Sequence, residues 1–220
     1  MSLCITDLLK RSSARHDHLC PRQVLGVRIG LAGLAALELE SPVNKSTALI
    51  ILESDGCFAD GIEVATGATI GHRTLRVNDL GKMAATFADV RTGRAIRISP
   101  GLDVRERAWL YAPGEPRHYF AQLLGYQVMP EAELLRFQEV RLHPTLEELI
   151  SQPLARVRCD HCGEEIFNER EVIVNGTILC RTCARHSYYF IQPAQVEVCD
   201  CLAGPICSPV HGAEGLSAAA

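Results

Sequence analysis

The sequence predicts an α+β fold: a helix, a strand, a second helix and three further strands in a mixed or antiparallel sheet, followed by a helical extension and a small C-terminal zinc ribbon or finger. Three observations predict it. Pro21 to Glu40 carries a broad apolar stripe at helical spacing, Ala48 to Leu52 is a continuous apolar run, and two C-x2-C pairs lie in the last third of the chain.

In chain order, the first helix spans Pro21 to Glu40, with Val24, Leu25, Leu31, Leu34, Ala35 and Leu37 on its apolar face. Lys45 to Glu53 holds the apolar run and suits a buried strand. Cys57 to Thr66 forms a short helix ended by Gly67. Thr74 to Asn78, Met83 to Val90 and Ala95 to Ser99 are strands, with turns at Asp79 to Gly81 and Arg91 to Arg94, and read as a meander. Asp103 is an N-cap candidate, and Arg117 to Gly125 and Pro130 to Val140 are helix candidates. Pro130 suits a first helical position, with Glu131 and Glu133 in the first turn. The organisation is a metal-binding α+β domain over residues 1–150, a four-cysteine finger over 156–192, and a flexible, cysteine-containing tail over 193–220.

Composition narrows the function classes. The 220 residues suit one medium domain and a small one, and 47% apolar with 22% charged residues is an ordinary soluble composition. A net charge of −4 lacks the basic excess of a typical nucleic-acid binder, so nucleic acid is not the expected partner. Met1 to Arg11 lack the apolar stretch of a secretory signal. Val24 to Leu39 is interrupted by Gly26, Arg28 and Gly30 and is too short to span a bilayer, so no membrane association is expected. A reducing cytosol is the expected compartment, where ten cysteines point to metal or redox chemistry before disulfides.

The sharpest motif is Cys159-Asp-His-Cys162, seventeen residues, then Cys180-Arg-Thr-Cys183. Each pair forms a tight turn that aims two thiolates at one point, and two such turns satisfy tetrahedral zinc with no vacancy. Glu171 to Leu179 reads as a hairpin about an Asn175-Gly176 turn that returns Cys180 to the first pair. So small a module draws much of its stability from the metal, on the order of 10 kcal/mol. A closed site implies a scaffold. The alternative is a redox dithiol, and His161 is a spacer or a substitute ligand. Asp160, Glu164 and Glu165 favour a protein partner, whereas Arg156, Arg158, Arg170, Arg181 and Arg185 keep a nucleic-acid role open. In the tail, Cys199, Cys201, Cys207 and His211 read as exposed thiols and an imidazole, with a further metal site as the alternative.

A second constellation precedes the first long helix. His16, His18 and Cys20 alternate, so an extended segment puts them on one face, and three such ligands suit zinc or another late transition metal. The helix N-terminus favours a thiolate there. Cys57, at the start of the second helix, is a natural fourth ligand, and Asp60 one turn on could ligate or orient a histidine. The plainer reading is a local cap with surface histidines and a buried apolar Cys57; the residues alone leave both open. Glu53 and Asp55 read as caps of the following helix, and His72, His118 and His143 as isolated.

His16-x-His18-Leu-Cys20-Pro21 followed by Leu25-Gly26-x-Arg28-x-Gly30 resembles the start of the FmdE-like family of formylmethanofuran dehydrogenase subunits. The likeness continues through Glu53-x-x-x-Cys57-x-x-Asp60-x-Ile62, Thr66-Gly67-x-Thr69-x-Gly71 and Asp79-x-Gly81-Lys82, and covers roughly residues 10 to 185 together with the two-pair finger. It implies an α+β core with a mixed sheet, and a metal at the His-x-His-x-Cys end with help from the Cys57 segment. Three positions depart from the family pattern: Arg22 stands where a glycine is usual, Ala68 where a cysteine is, and His72 where a lysine is.

The reading is a metal-binding accessory protein, with zinc at Cys159, Cys162, Cys180 and Cys183 and a second transition metal, zinc in the first instance, at His16, His18, Cys20 and Cys57. The resemblance suggests a molybdenum or tungsten oxidoreductase, in C1 metabolism, as protein partner; a homodimer is a further expectation. Fold-level analogy does not transfer the dehydrogenase reaction. Two alternatives stand: an enzyme whose open zinc site activates water with Asp60, Glu53 or Asp55 as base, and a metal-responsive regulator using the finger.

Overall fold

The computed structural model describes residues 4–16, 18–150 and 155–189. The chain divides into two compact units, Met1–Leu154 and Ala155–Ala220. The first unit runs α1 (Ile5–Ser13), α2 (Pro21–Ala36), β1 (Ala48–Leu52), α3 (Cys57–Thr66), β2 (Leu75–Val77), β3 (Ala85–Asp89), β4 (Ala95–Pro100), α4 (Val104–Arg107), a 3-10 turn (Ala108–Tyr111), α5 (His118–Val128), α6 (Glu131–Leu134), β5 (Leu135–Glu139) and α7 (Leu146–Leu149). No helix among the described residues is long and apolar enough to cross a membrane.

The fold is mixed α+β, and its five-stranded sheet has the order β2-β1-β3-β4-β5. The expected meander of β2, β3 and β4 does not form. β2 pairs parallel with β1, Ile50 opposite Leu75, and β3 takes the other side of β1 antiparallel. The chain leaves β1 through α3, and a strand–helix–strand crossover returns its second strand parallel to the first. β3, β4 and β5 then continue antiparallel.

Two boundaries differ from the sequence expectation for physical reasons. Helix α2 stops at Ala36, short of Glu40. It ends in a Schellman closure: Leu39 N–H donates to Leu34 O at 2.8 Å and Glu38 N–H to Ala35 O at 3.2 Å. The left-handed residue is Glu38, φ 53°, so the glycine that usually marks such an end is missing. The expected helix Pro130 to Val140 lasts one turn before becoming β5, because the outer edge of β4 needs a partner; Ile98 faces Phe137 there. Asp103 stands at the N-cap position of α4 but makes no side-chain capping bond. Helix α1, which no sequence signal announced, buries Leu8, Leu9 and Ser12.

The core lies between the sheet and α2. Ile50, Leu52, Leu75 and Phe87 are fully buried, each stabilising the fold by roughly 1.5–3 kcal/mol. Gly33 of α2 accepts the Phe87 ring, since a Cβ there would lie 2.5 Å from ring carbons. The α2–α3 contact is tighter still. A Cβ on Gly26 would meet the Phe58 carbonyl oxygen at 2.3 Å and the Gly61 Cα at 2.9 Å, and one on Gly61 would meet the Gln23 carbonyl oxygen at 2.4 Å. One turn further along both helices, Gly30 abuts Ala65. The contacts advance in the same sense along both helices, so α2 and α3 run parallel with their N-termini together. Arg28, a charge inside the apolar stripe, donates to the carbonyl oxygens of Tyr126 at 2.8 Å and Met129 at 2.9 Å and so closes the end of α5.

Gly26→Ala tests this crossing. In an unconstrained helix the change would gain about 1 kcal/mol. Here the new methyl meets backbone atoms, and we expect a loss of about 1–3 kcal/mol. Urea unfolding measures it; a stabilised variant would mean that the helices do not touch at this point.

Candidate metal centre

In the second unit, β6 (Arg156–Arg158) pairs with β7 (Glu165–Phe167), and β8 (Val172–Val174) with β9 (Thr177–Leu179). Asn175 and Gly176 have φ of 51° and 81°, the two left-handed residues of a tight hairpin turn. Cys159 and Cys162 occupy the loop between β6 and β7. Asp160 joins this loop to β9: its N–H donates to Ile178 O at 2.8 Å, and its carboxylate accepts from Ile178 N–H at 2.7 Å. The acidic flank therefore serves the module's own closure. It brings Cys180 and Cys183 to the first pair, and the four sulfurs lie within 4.8 Å of one another.

That arrangement fits zinc. Zn–S bonds of 2.3 Å place tetrahedral sulfurs about 3.8 Å apart, and Cys162 and Cys180 are 3.9 Å apart. Backbone N–H groups also aim at the sulfurs, Cys180 N–H at Cys159 Sγ (3.2 Å) and Cys183 N–H at Cys180 Sγ (3.4 Å). Donors from Cys162 and Cys180 hold the Cys159 thiol down to about 6, while the Cys180 sulfur and burial push Cys183 up to about 12. One thiolate forms easily and its neighbours resist, which is the electrostatic condition a divalent cation relieves. His161 is exposed, its Nδ1 3.4 Å from Cys183 Sγ.

In the first unit, Cys20 precedes α2 and its N–H donates to Gln23 Oε1 at 2.8 Å; Gln23 Nε2 donates in turn to Ser12 O at 2.9 Å, tying α1 to α2. Cys57 opens α3 after Gly56, whose φ of 68° favours glycine. Because the helices are parallel, the two cysteines come close enough for each sulfur to act on the other's charge. Burial, then the Cys20 sulfur, push the Cys57 thiol above its ordinary value, outweighing the lowering expected at a helix N-terminus. Tyr119 of α5 is raised by burial and by the same two sulfurs. His18, Cys20 and Cys57 line a cavity of about 770 Å³.

His16 stands apart. Its Nε2 bonds the Asp60 carboxylate, which Arg15 also engages at 3.4 Å while holding Glu63 at 2.6 Å. Asp60 thus orients a histidine. Among the described residues, the four C-terminal cysteines are the one set of three or more His, Cys, Asp or Glu side chains whose ligand atoms converge. Glu53 and Asp55 do not cap α3, whose N-cap is Gly56. Glu53 accepts instead from Arg97 at 2.6 and 2.7 Å, and is held below the usual carboxylate range by it. His72 meets Thr69 Oγ1 at 2.9 Å. His118 stacks on Trp109, centroids 5.5 Å apart, and its Nε2 bonds the Arg105 carbonyl at 2.9 Å. With Arg105 and Tyr119, His118 lines the same cavity as the thiols; no spacing in the sequence linked these residues to Cys20. Cys199, Cys201, Cys207 and His211 lie outside the described residues.

The fold and these clusters define a metal-binding protein with an α+β unit ahead of a four-cysteine module. More particularly, the chain belongs to the family described as FmdE, molybdenum formylmethanofuran dehydrogenase operon, which it matches over residues 15–156. Residues 153–189 match the prokaryotic dksA/traR C4-type zinc finger. A curated relative, a probable S-adenosyl-L-methionine-binding protein of Archaeoglobus fulgidus, is 29% identical over 208 residues. The match takes in 85% of this chain but 55% of the relative, so the chain spans about half that protein's length. A solved structure, of a tungsten formylmethanofuran dehydrogenase FmdE-like protein from Syntrophus aciditrophicus, covers 86% of this chain and 96% of its own at a TM-score of 0.53 and 20% identity, a likeness of fold.

The Glu53–Arg97 pair gives a pH prediction. The folded carboxyl titrates below its unfolded value of about 4.3, so its contribution is present above that value and lost as pH falls through the folded one. Arg97→Met should cost about 2–3 kcal/mol at neutral pH, less than a fully buried pair because the Arg97 side chain is 23% exposed. It should also flatten the acid limb of stability. An unchanged limb, measured by urea midpoints across acid pH, would remove the pair from the account.

Proposed function

We propose that this protein is a metal-binding accessory protein carrying two ions per chain. Cys159, Cys162, Cys180 and Cys183 hold structural zinc, over a finger spanning residues 156–192. Cys20 and Cys57, with His18 and His16, hold a second transition metal, zinc in the first instance, in the domain of residues 1–150. One observation carries the second site: two cysteines from distant segments line one cavity, with His18, where two helix N-termini come together. Two thiols and an imidazole are the donor set of a late transition metal. Asp60 orients His16, the fourth candidate. A bound ion would supply Lewis acidity at this cavity.

The partner reading follows the family. Its description names a molybdenum formylmethanofuran dehydrogenase operon, which supports a molybdenum or tungsten oxidoreductase as the protein partner. An enzymatic reading draws support from the open cavity, but two of its candidate bases are engaged: Glu53 by Arg97, Asp60 by Arg15 and His16. The Archaeoglobus relative's name raises S-adenosyl-L-methionine. Its sulfonium is a cation, and no described residue lining the cavity is acidic, so we do not assign that ligand to the front site.

Metal analysis of the purified chain decides between one site and two. We expect two ions per chain. Cys57→Ala should lose one and keep the other. Cys180→Ala should lose the second and, by hydrogen exchange, open residues 155–189 while protection in the first unit persists. A single ion in both the parent and Cys57→Ala would refute the front site.

A further inference from the structure

We propose that the front cavity binds a small organic carboxylate, its anionic head held between Arg22 and Arg105 and its apolar body lying along Leu25, Met83 and Val104. The proposal rests on the reading of this cavity as the metal site only for its location; the arginines do not need the ion.

Arg22 and Arg105 both line the cavity, and neither makes a salt bridge with a carboxylate among the described residues. No described residue of the lining is acidic, although acidic residues outnumber basic ones in the chain, 26 to 22. The parallel pair α2 and α3 adds the positive ends of two helix dipoles, of 16 and 10 residues, at the wall that carries Cys20 and Cys57. Tyr119 and Gln122 add polar groups, and His118 is fixed by its bond to the Arg105 carbonyl, which also anchors the backbone carrying that arginine. The lining therefore presents two arginines without a salt bridge and oriented dipoles above an apolar floor, with Glu106, whose charge also reaches Tyr126, outside it. Guanidinium is the side chain best matched to a planar carboxylate, and the floor selects an organic acid over a bare inorganic anion.

Trp109, the chain's single tryptophan, stacks on His118 at the cavity edge and reports occupancy. Titrating the full chain with butyrate, benzoate and inorganic phosphate, each in metal-loaded and chelated protein, should give saturable fluorescence changes with the two carboxylates, in both metal states. Arg22→Ala and Arg105→Ala should each weaken binding by about tenfold or more. Both side chains are exposed, so neither replacement disturbs the core, and circular dichroism checks this. Cys57→Ala should lose the front ion and retain carboxylate binding; this separates the proposal from the metal reading. Response to phosphate alone, no saturable response to either acid, or carboxylate binding that survives both arginine replacements would each overturn it. Binding lost on chelation or in Cys57→Ala would place the anion on the metal and overturn the arginine site as well.

Discussion

The structure of the first unit depends on the absence of two side chains, at Gly26 and Gly61. With hydrogen atoms there, α2 and α3 close to backbone contact, at distances no methyl could occupy. Contact at that separation fixes where each helix begins relative to the other. Since the pair runs parallel, Cys20 and Cys57, 37 positions apart in sequence, become neighbours at one end. Side-by-side parallel dipoles repel, and their common positive end attracts negative charge. The packing that brings the thiols together thus also creates the field in which a thiolate or an anion is favoured.

The two cysteine sites solve the same problem differently. In the C-terminal module the sulfurs are gathered by local means: a hairpin, the Asp160–Ile178 clasp and N–H donors from the loops themselves. Four sulfurs close on one another and leave no place for a further ligand, the mark of a structural site. In the front unit two sulfurs are gathered by tertiary packing and face open space. A site that depends on helix packing carries its cost in the core, where glycines forgo burial and helix propensity.

The C-terminal site was legible because its information is local. Spacing within each C-x2-C pair and the Asn175-Gly176 turn carry nearly all of its geometry. The succession from α2 through β4 was legible for a similar reason: apolar runs and Gly67 mark it. What stayed hidden was tertiary. β2 moved to the far side of β1 because α3 intervenes, and residues 135–139 became a strand because β4 had an open edge. Glu38 ended α2 in a conformation usually given to glycine, so the stop carried no signal. Gly26 and Gly30 read as interruptions of an apolar stretch until the neighbouring helix showed what they admit. His16 was grouped with His18 and Cys20 by alternation; its partner Asp60 comes from α3, 44 positions on.

Charge shows how far whole-chain quantities can mislead about a site. The chain is acidic, but several carboxylates of the first unit are spent on other cations. Asp60 and Glu63 face Arg15, Glu53 holds Arg97, and Glu115 holds Arg117. Glu133 accepts from Tyr111 at 2.6 Å and also engages Arg107. Each of these pairs neutralises itself within a few ångströms, and fields from such pairs fall away quickly in salt. Arg22 and Arg105 are left over, on the rim of a cavity already biased positive by two helix ends. A net charge counts all of these groups equally, whereas a ligand entering the cavity meets only the ones that have no nearer partner.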